Sequence, residues 1–176
     1  MPKLPVFLIC FSLFLSGCVP IPTSRTYLAP NPDDGILTTS QGCGYQRTGK
    51  DALSRETDDY YLKIKPSDDG THSYVGIYIQ TESDGIEFDP NKVKILGDGI
   101  AMTTSKVTVD KRPPRKGSEY ISFFINIFYP EDFDTLNSLE VKLGDAMTLN
   151  GAPVKQAPLR FNRATVSDVF LASINC

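Results

Sequence analysis

The chain has one histidine in 176 residues. That alone narrows the chemistry, because base catalysis uses histidine most often. His72 would have to serve any serine or cysteine nucleophile by itself, and it lies in a turn beside Asp68 and Asp69, where a solvated turn residue is the plain expectation. No G-x-S-x-G elbow, no H-E-x-x-H helix and no phosphate-cradling glycine loop occurs. The charge balance is slight, with 18 basic and 21 acidic residues for a net of −3. A nucleic-acid binder needs a basic footprint, and there is none. Long apolar runs are also missing. The longest, VFLICFSLFL at 6–15, is too short to span a bilayer, which takes about 20 residues.

That short run has the proportions of a signal-peptide core: a basic start, an apolar middle and small residues at its end. It closes on Leu15-Ser16-Gly17-Cys18, which resembles the lipobox of bacterial lipoproteins at every position. The resemblance covers residues 1–18. It implies that the Cys18 thiol carries diacylglycerol, that residues 1–17 are removed as a signal peptide, and that the new amine is acylated. More than one acyl chain makes such an anchor durable, at about 0.8 kcal/mol per buried methylene. By resemblance to lipoprotein sorting rules, valine rather than aspartate at position 19 favours the outer membrane, facing the periplasm, over the cell surface.

Four cysteines are present. Cys10 leaves with the signal peptide and Cys18 is spent on lipid, so Cys43 and Cys176 remain. In an oxidising compartment two such thiols usually pair. A bridge between the start and end of a domain contributes about 5 kcal/mol in the loop-entropy model. The alternative, a metal or reactive site, would rest on two cysteines and one histidine, a poor ligand set. No metal or other cofactor is expected.

Residues 18–41 hold four prolines between positions 20 and 32 and show no apolar periodicity. They read as a lipidated N-terminus and flexible tether ahead of a domain at 42–176. From Cys43 onward the period is two. In DYYLKIK, Tyr60, Leu62 and Ile64 share a face, and in SYVGIYIQ so do Val75, Ile77 and Ile79. Pairing Ile64 with Val75 matches Leu62 to Ile77 and Tyr60 to Ile79 across a PSDDGTH turn. EYISFFINIFY is the strongest strand, partnered by IAMTTSKVTV. Further strands are expected at GIEF, KVKIL, SLEVKL, PLRFNRATV and VFLASINC, a tight turn at Asn150-Gly151, and a single helical turn starting at Pro130-Glu131-Asp132. Many short strands with regular turns predict an all-β sandwich. IEFDPNKVKILGDG, an apolar strand broken by proline and closed by a glycine turn, is similar to immunoglobulin-like domains of periplasmic lipoproteins. The resemblance implies an immunoglobulin-like sandwich and no function.

Acid-glycine pairs recur at Asp34-Gly35, Asp69-Gly70, Asp84-Gly85 and Asp98-Gly99, but no D-x-[DN]-x-[DN]-G calcium loop appears, and aspartate-glycine is how hairpins commonly turn. Two surface features suit binding. The hairpin register turns Tyr61, Tyr74 and Tyr78 to the outer face, Tyr61 opposite Tyr78 and Tyr74 opposite Lys65, with Tyr120, Phe124 and Phe128 as a second row. The stretch Lys111–Lys116 gathers four cations, Arg112 and Arg115 among them, around two prolines at a stiff tip. The expected function is a lipid-anchored, non-enzymatic β-sandwich in the bacterial envelope. It would bind an envelope protein or a glycan, and no nucleic acid. The alternatives are a glycan hydrolase with paired carboxylates, which requires two acids buried together in one cleft, and a hydrolase inhibitor acting through the Lys111–Lys116 loop.

Overall fold

Alternating burial builds the molecule. In the segment from Ile121 to Tyr129, every second residue is buried, and Ser73 to Thr81 alternates in the same way. The computed structural model describes residues 19–39, 41–42, 45–47, 49–68 and 70–172. In chain order the strands are β1 (Val19–Pro30), β2 (Ile36–Thr38), β3 (Gln41–Gly42), β4 (Tyr45–Arg47), β5 (Ala52–Glu56) and β6 (Tyr60–Asp68). There follow β7 (Ser73–Thr81), β8 (Ile86–Phe88), β9 (Lys94–Gly97), β10 (Ile100–Ala101) and β11 (Lys106–Arg112). The last five are β12 (Ile121–Tyr129), β13 (Ser138–Lys142), β14 (Met147–Leu149), β15 (Ala152–Pro153) and β16 (Leu159–Ala172). Helix among the described residues is confined to three single 3₁₀ turns.

The fold is an all-β sandwich. One sheet runs β11-β12-β7-β6-β5-β2. The other runs β10-β9-β13-β16-β4-β3, with β1 also on β16. A small third sheet, β15-β14-β8, closes one end. Leu62, Ile64, Ile77, Ile79, Ile125 and Ile127 from the first sheet meet Ile95, Leu139, Val141, Leu159 and Phe161 from the second in one apolar core. Fully burying each of these side chains contributes about 1.5–3 kcal/mol.

The β6–β7 register departs from expectation by two residues. Ile64 pairs with Ile77, Leu62 with Ile79 and Tyr60 with Thr81. The ladder continues through Pro66, opposite Val75, to Asp68 and Ser73. Proline is accommodated because it lies beyond the last residue of β6 that pairs with β5, Ile64, so β6 has one neighbour there. Asp68 then organises the shorter turn, accepting from Gly70 N–H and from Ser73 Oγ at 2.9 Å. A slip of two preserves which side chains face inward, so the buried face is the expected one.

The expected tether is a correction too. Val19–Pro30 forms a strand paired along its whole length with β16, from Val19 opposite Ala172 to Pro30 opposite Phe161. Pro20, Pro22 and Pro30 all occupy even positions. Asn31 N–H, at an odd position, donates to Arg160 O at 2.8 Å. Odd residues therefore turn their N–H toward β16, and the prolines turn their missing donors to the open side, where an edge strand tolerates them. At the end of β1 the carboxylate of Asp34 accepts from Arg160 Nη2 at 2.6 Å and Nε at 3.0 Å. This bond holds the Asp34 carboxyl below the usual carboxylate range, and Arg160 in turn is raised.

The expected partner strand IAMTTSKVTV is divided: Ile100–Ala101 is β10, paired with β9 in the other sheet, and only from Lys106 does the chain join β12, running on to Arg112. β11 pairs with β12, Val107 opposite Ile127 and Val109 opposite Ile125. Leu159–Ala172 is one strand, β16, so PLRFNRATV and the described part of VFLASINC belong to one strand rather than two. Asn150 and Gly151 both have positive φ, 52° and 79°, as the tight β14–β15 turn requires. The helical turn comes just after Pro130, at Phe133–Thr135, capped by Asp132. Cys18, Cys43 and Cys176 lie outside the described residues, as does the segment 1–17.

Candidate functional site

β1 adds to the opposite sheet, and the outer face of the β11-β12-β7-β6 sheet carries side chains that ordinarily seek cover. Phe124 is 37% exposed. Register arranges these residues into two cross-strand ridges. In the first, Tyr61 meets Tyr78 edge-on at 6.1 Å, Tyr78 meets Phe124 at 4.9 Å, and the Arg112 guanidinium lies 4.4 Å over the Phe124 ring. In the second, Tyr74 meets Phe128 at 5.3 Å and Lys106 Nζ lies 5.7 Å from the Phe128 ring. His72, exposed, puts its ring edge-on to Phe128 at 6.3 Å. Each ridge thus ends in a cation on β11, an arrangement favoured by the negative face of an aromatic ring.

Between the ridges the sheet dips. The row there is Lys65, Gly76, Asn126 and Thr108, each opposite the next across the ladders. Gly76 has no side chain to fill the gap, and the result is a shallow trough of about 520 Å³ lined by Lys65, Gly76 and Asn126 of this row and by Tyr61, Lys63, Tyr78 and Phe124 beside it. A Cβ built on Gly76 would make only ordinary contacts, the nearest with Asn126 Oδ1 at 3.5 Å. Glycine is therefore not demanded by space at its own Cβ. Lys63 points its ammonium at Thr39 O, 3.2 Å away. Burial pushes its pKa down, partly offset by the charge of Asp51.

The structure brings together three of the five proposed binding residues. Tyr78, Arg112 and Arg115 border one cavity of about 240 Å³, with Tyr120 and Phe124. Tyr61 joins this group through its contact with Tyr78, while Tyr74 belongs to the second ridge. Two details differ from the sequence reading. Tyr61 stands opposite Gln80 and is only diagonal to Tyr78, and Tyr74 stands opposite Ser67 rather than Lys65. Arg112 belongs to β11 rather than to the tip loop. Its Nε donates to Asp110 at 2.7 Å, so it is folded onto the sheet rather than extended for insertion. The tip turns at Gly117, where φ is 86°, and closes with Ser118 N–H on Arg115 O. Tyr120 beside it is 43% exposed, and a hydrogen bond with Glu82 raises its phenol above the usual value. The sequence reading passed over Asn126 and the role of Gly76. A lone glycine within a strand of otherwise large residues is the signal that marks such a gap.

No protein-family model matches the chain, and no curated protein matches it. Function therefore rests on geometry.

A second region bears on the hydrolase alternative. Asp51 and Asp168 are both buried, at 2% and 4% exposure, near a cavity of about 290 Å³ that Arg25, Asp51 and Lys65 help line. Not every acid is thus in an exposed turn. Arg25, however, stands between the two, with Nη1 3.6 Å from Asp51 and Nε 3.5 Å from Asp168. Lys65 adds a second cation 3.4 Å from Asp51. Asp168 also accepts from Gly49 N–H at 2.8 Å and Val169 N–H at 2.9 Å. Glycoside hydrolysis needs one carboxylic acid able to donate a proton to a leaving group. Here the two carboxylates face a shared arginine and backbone amides, contacts that tie neighbouring segments together. Two of the acid-glycine turns also have engaged carboxylates, Asp34 on Arg160 and Asp98 on backbone amides. Asp98, with φ of 48°, accepts from Asn137 N–H at 3.0 Å and Ser138 N–H at 2.7 Å, and these backbone bonds hold its carboxyl below the usual range.

Proposed function

We propose that the protein is a lipid-anchored, non-catalytic module of the bacterial envelope that binds an envelope macromolecule, a protein assembly or a glycan, through the open face of its six-stranded sheet. The observation that carries this reading is the pair of aromatic ridges flanking the Gly76 trough. Rings with polar tips, stiff and partly solvent-exposed, supply contact area at small entropic cost. Lys63, Lys65, Lys106 and Arg112 on the same face favour an acidic or hydroxyl-rich surface. The anchor is Cys18, by the lipobox resemblance. β1 starts at the next residue, so the module stands on a paired ribbon, about 40 Å long at about 3.4 Å per residue, in place of a loose tether.

The test is crosslinking of the full chain in its own cells, followed by recovery of what is bound. The comparison chains are Gly76→Leu, which fills the trough, and a triple change of Tyr61, Tyr74 and Tyr78 to serine, each checked for an unchanged unfolding midpoint. A discrete envelope protein or a glycan fragment recovered with the native chain and lost with both variants is the expected result. Equal recovery with all three chains removes this face from the function. Cys18→Ser should lose palmitate labelling, and a variant that still labels would place the anchor elsewhere.

A further inference from the structure

Strand β11 ends the six-stranded sheet, with β12 on one side and, among the described residues, no strand on the other. It is seven residues long, KVTVDKR, without glycine or proline. Val109 is 51% exposed although its neighbours in the same row, Ile125 and Ile77, are buried. A strand border of this kind offers a row of backbone donors and acceptors to any extended chain.

The order of charges along β11 selects among partners. Backbone groups turned away from β12 recur at every second residue, so two copies in antiparallel contact must pair residues of like parity. A pairing centred on Val109 sets Lys106 against Arg112, and one centred on Asp110 sets two carboxylates together. A pairing centred on Thr108 sets Lys106 against Asp110 twice, Val107 against Val109 twice, and Thr108 against itself. Every position in that register is complementary, because the sequence from 106 to 110 has opposite charges placed symmetrically about its middle residue.

We infer that a second copy of this chain pairs with β11 about a two-fold axis at Thr108. Side chains opposite each other across an antiparallel ladder point to the same face. Lys106 of each copy therefore joins the Asp110–Arg112 pair of the other on the trough side, and Val107 and Val109 of both copies close together beneath. The two open faces lie on the same side of one continuous sheet. The trough row Lys65, Gly76, Asn126, Thr108 continues directly into Thr108, Asn126, Gly76 and Lys65 of the second copy. Across eight strands at about 4.8 Å spacing this row is about 34 Å long, with a trough in each copy. The ridge of Tyr78 and Phe124 in one copy meets the ridge of Phe128 and Tyr74 in the other through the Asp110–Lys106 pair. One strand pair is a small interface compared with the roughly 1,000 Å² typical of stable complexes, so association is weak in dilute solution and strengthens where copies share a surface.

The pairing is independent of what the trough binds, and its test reads association alone. The full chain carrying Thr108→Cys is oxidised in cells and compared with Lys116→Cys, at the tip away from the axis. Thr108→Cys should give a covalent dimer and Lys116→Cys background. On the Thr108→Cys chain, Lys106→Glu or Asp110→Lys should each cut the yield roughly tenfold, since two opposed pairs change sign. Co-expressing those two chains, made distinguishable by tags, should restore a mixed dimer. The glutamate introduced at position 106 of one chain then meets the lysine introduced at position 110 of the other, while the unchanged Asp110 and Lys106 also meet. Equal crosslinking at both cysteines, or yields indifferent to the charge reversals, would overturn the proposal. Unchanged far-ultraviolet dichroism excludes misfolding as the cause of a lost dimer.

Discussion

Strand β1 carries proline at positions 20, 22 and 30, and strand β11 carries none. Both lie along a sheet border. In β1 the prolines recur with even spacing, so the side turned away from β16 lacks donors at those three positions and is a poor template for another strand. In β11 the free border keeps its donors, and its charges are mixed in sign, with Asp110 between Lys106 and Lys111–Arg112, instead of being uniformly positive. One border is closed by the absence of N–H groups. The other discriminates by charge, repelling some registers and accepting one. A border strand can thus be soluble in two ways, and only the second leaves a selective contact surface.

The largest expected effect comes from moving proline across the parity of β1. Thr23→Pro places the missing donor toward β16, and the paired carbonyl loses its bond. Ser24→Pro places it on the open side. The first should lower stability by about 1–3 kcal/mol, and the second by a few tenths at most, read from urea midpoints. Equal costs would mean that the parity assignment of β1 is wrong.

A middle-sized effect is expected at the end of the same strand. Asp34→Asn removes the bond to Arg160 that closes β1 onto β16, at a cost of about 1–2 kcal/mol given the exposure of the arginine side. The Asp34 carboxyl is held below its unfolded value, about 3.9. Its contribution is therefore fully present above that unfolded value and is lost as pH falls through the lower folded one. The native chain should lose this increment on acidification, and Asp34→Asn should show a flatter stability profile in the same window. A parallel acid decline in both chains would assign the acid sensitivity to other groups.

The smallest effect on stability is expected on β11. Lys106→Glu touches an exposed side chain, so the unfolding midpoint should move by no more than about 0.5 kcal/mol, while association changes as described. A large loss of stability would show that Lys106 holds its own sheet together and would weaken the contrast between the borders.

Much of this architecture was legible in residue order. Ile121, Phe123, Ile125 and Ile127 declare a half-buried strand, and Tyr60, Leu62 and Ile64 declare another, because strand geometry sends alternate side chains to opposite faces. The outward tyrosines followed from the same rule and stayed outward although the hairpin register slipped by two, since a slip of two conserves the face. What they stand against did not follow. Tyr78 lies against Phe124 and Arg112 because β7 adds to β12 and β12 to β11, contacts that periodicity does not specify. β1 was missed because its prolines were weighed as breakers and their shared parity was not. Its partner lies about 140 residues away in the chain, and no local pattern names it.

By itself the sequence determined which faces of the main hairpin strands are buried, which segments hold the turns and that the class is all-β, since alternation and turn chemistry act over a few residues. Tertiary structure alone decided which strands became neighbours, that the proline-rich start became a strand of the sandwich, and that Arg25, Asp51 and Asp168 gather into one ion cluster. Those outcomes depend on which distant segments can bury their apolar faces together and satisfy each other's backbone groups, an energy that exists only once the chain has closed its loops.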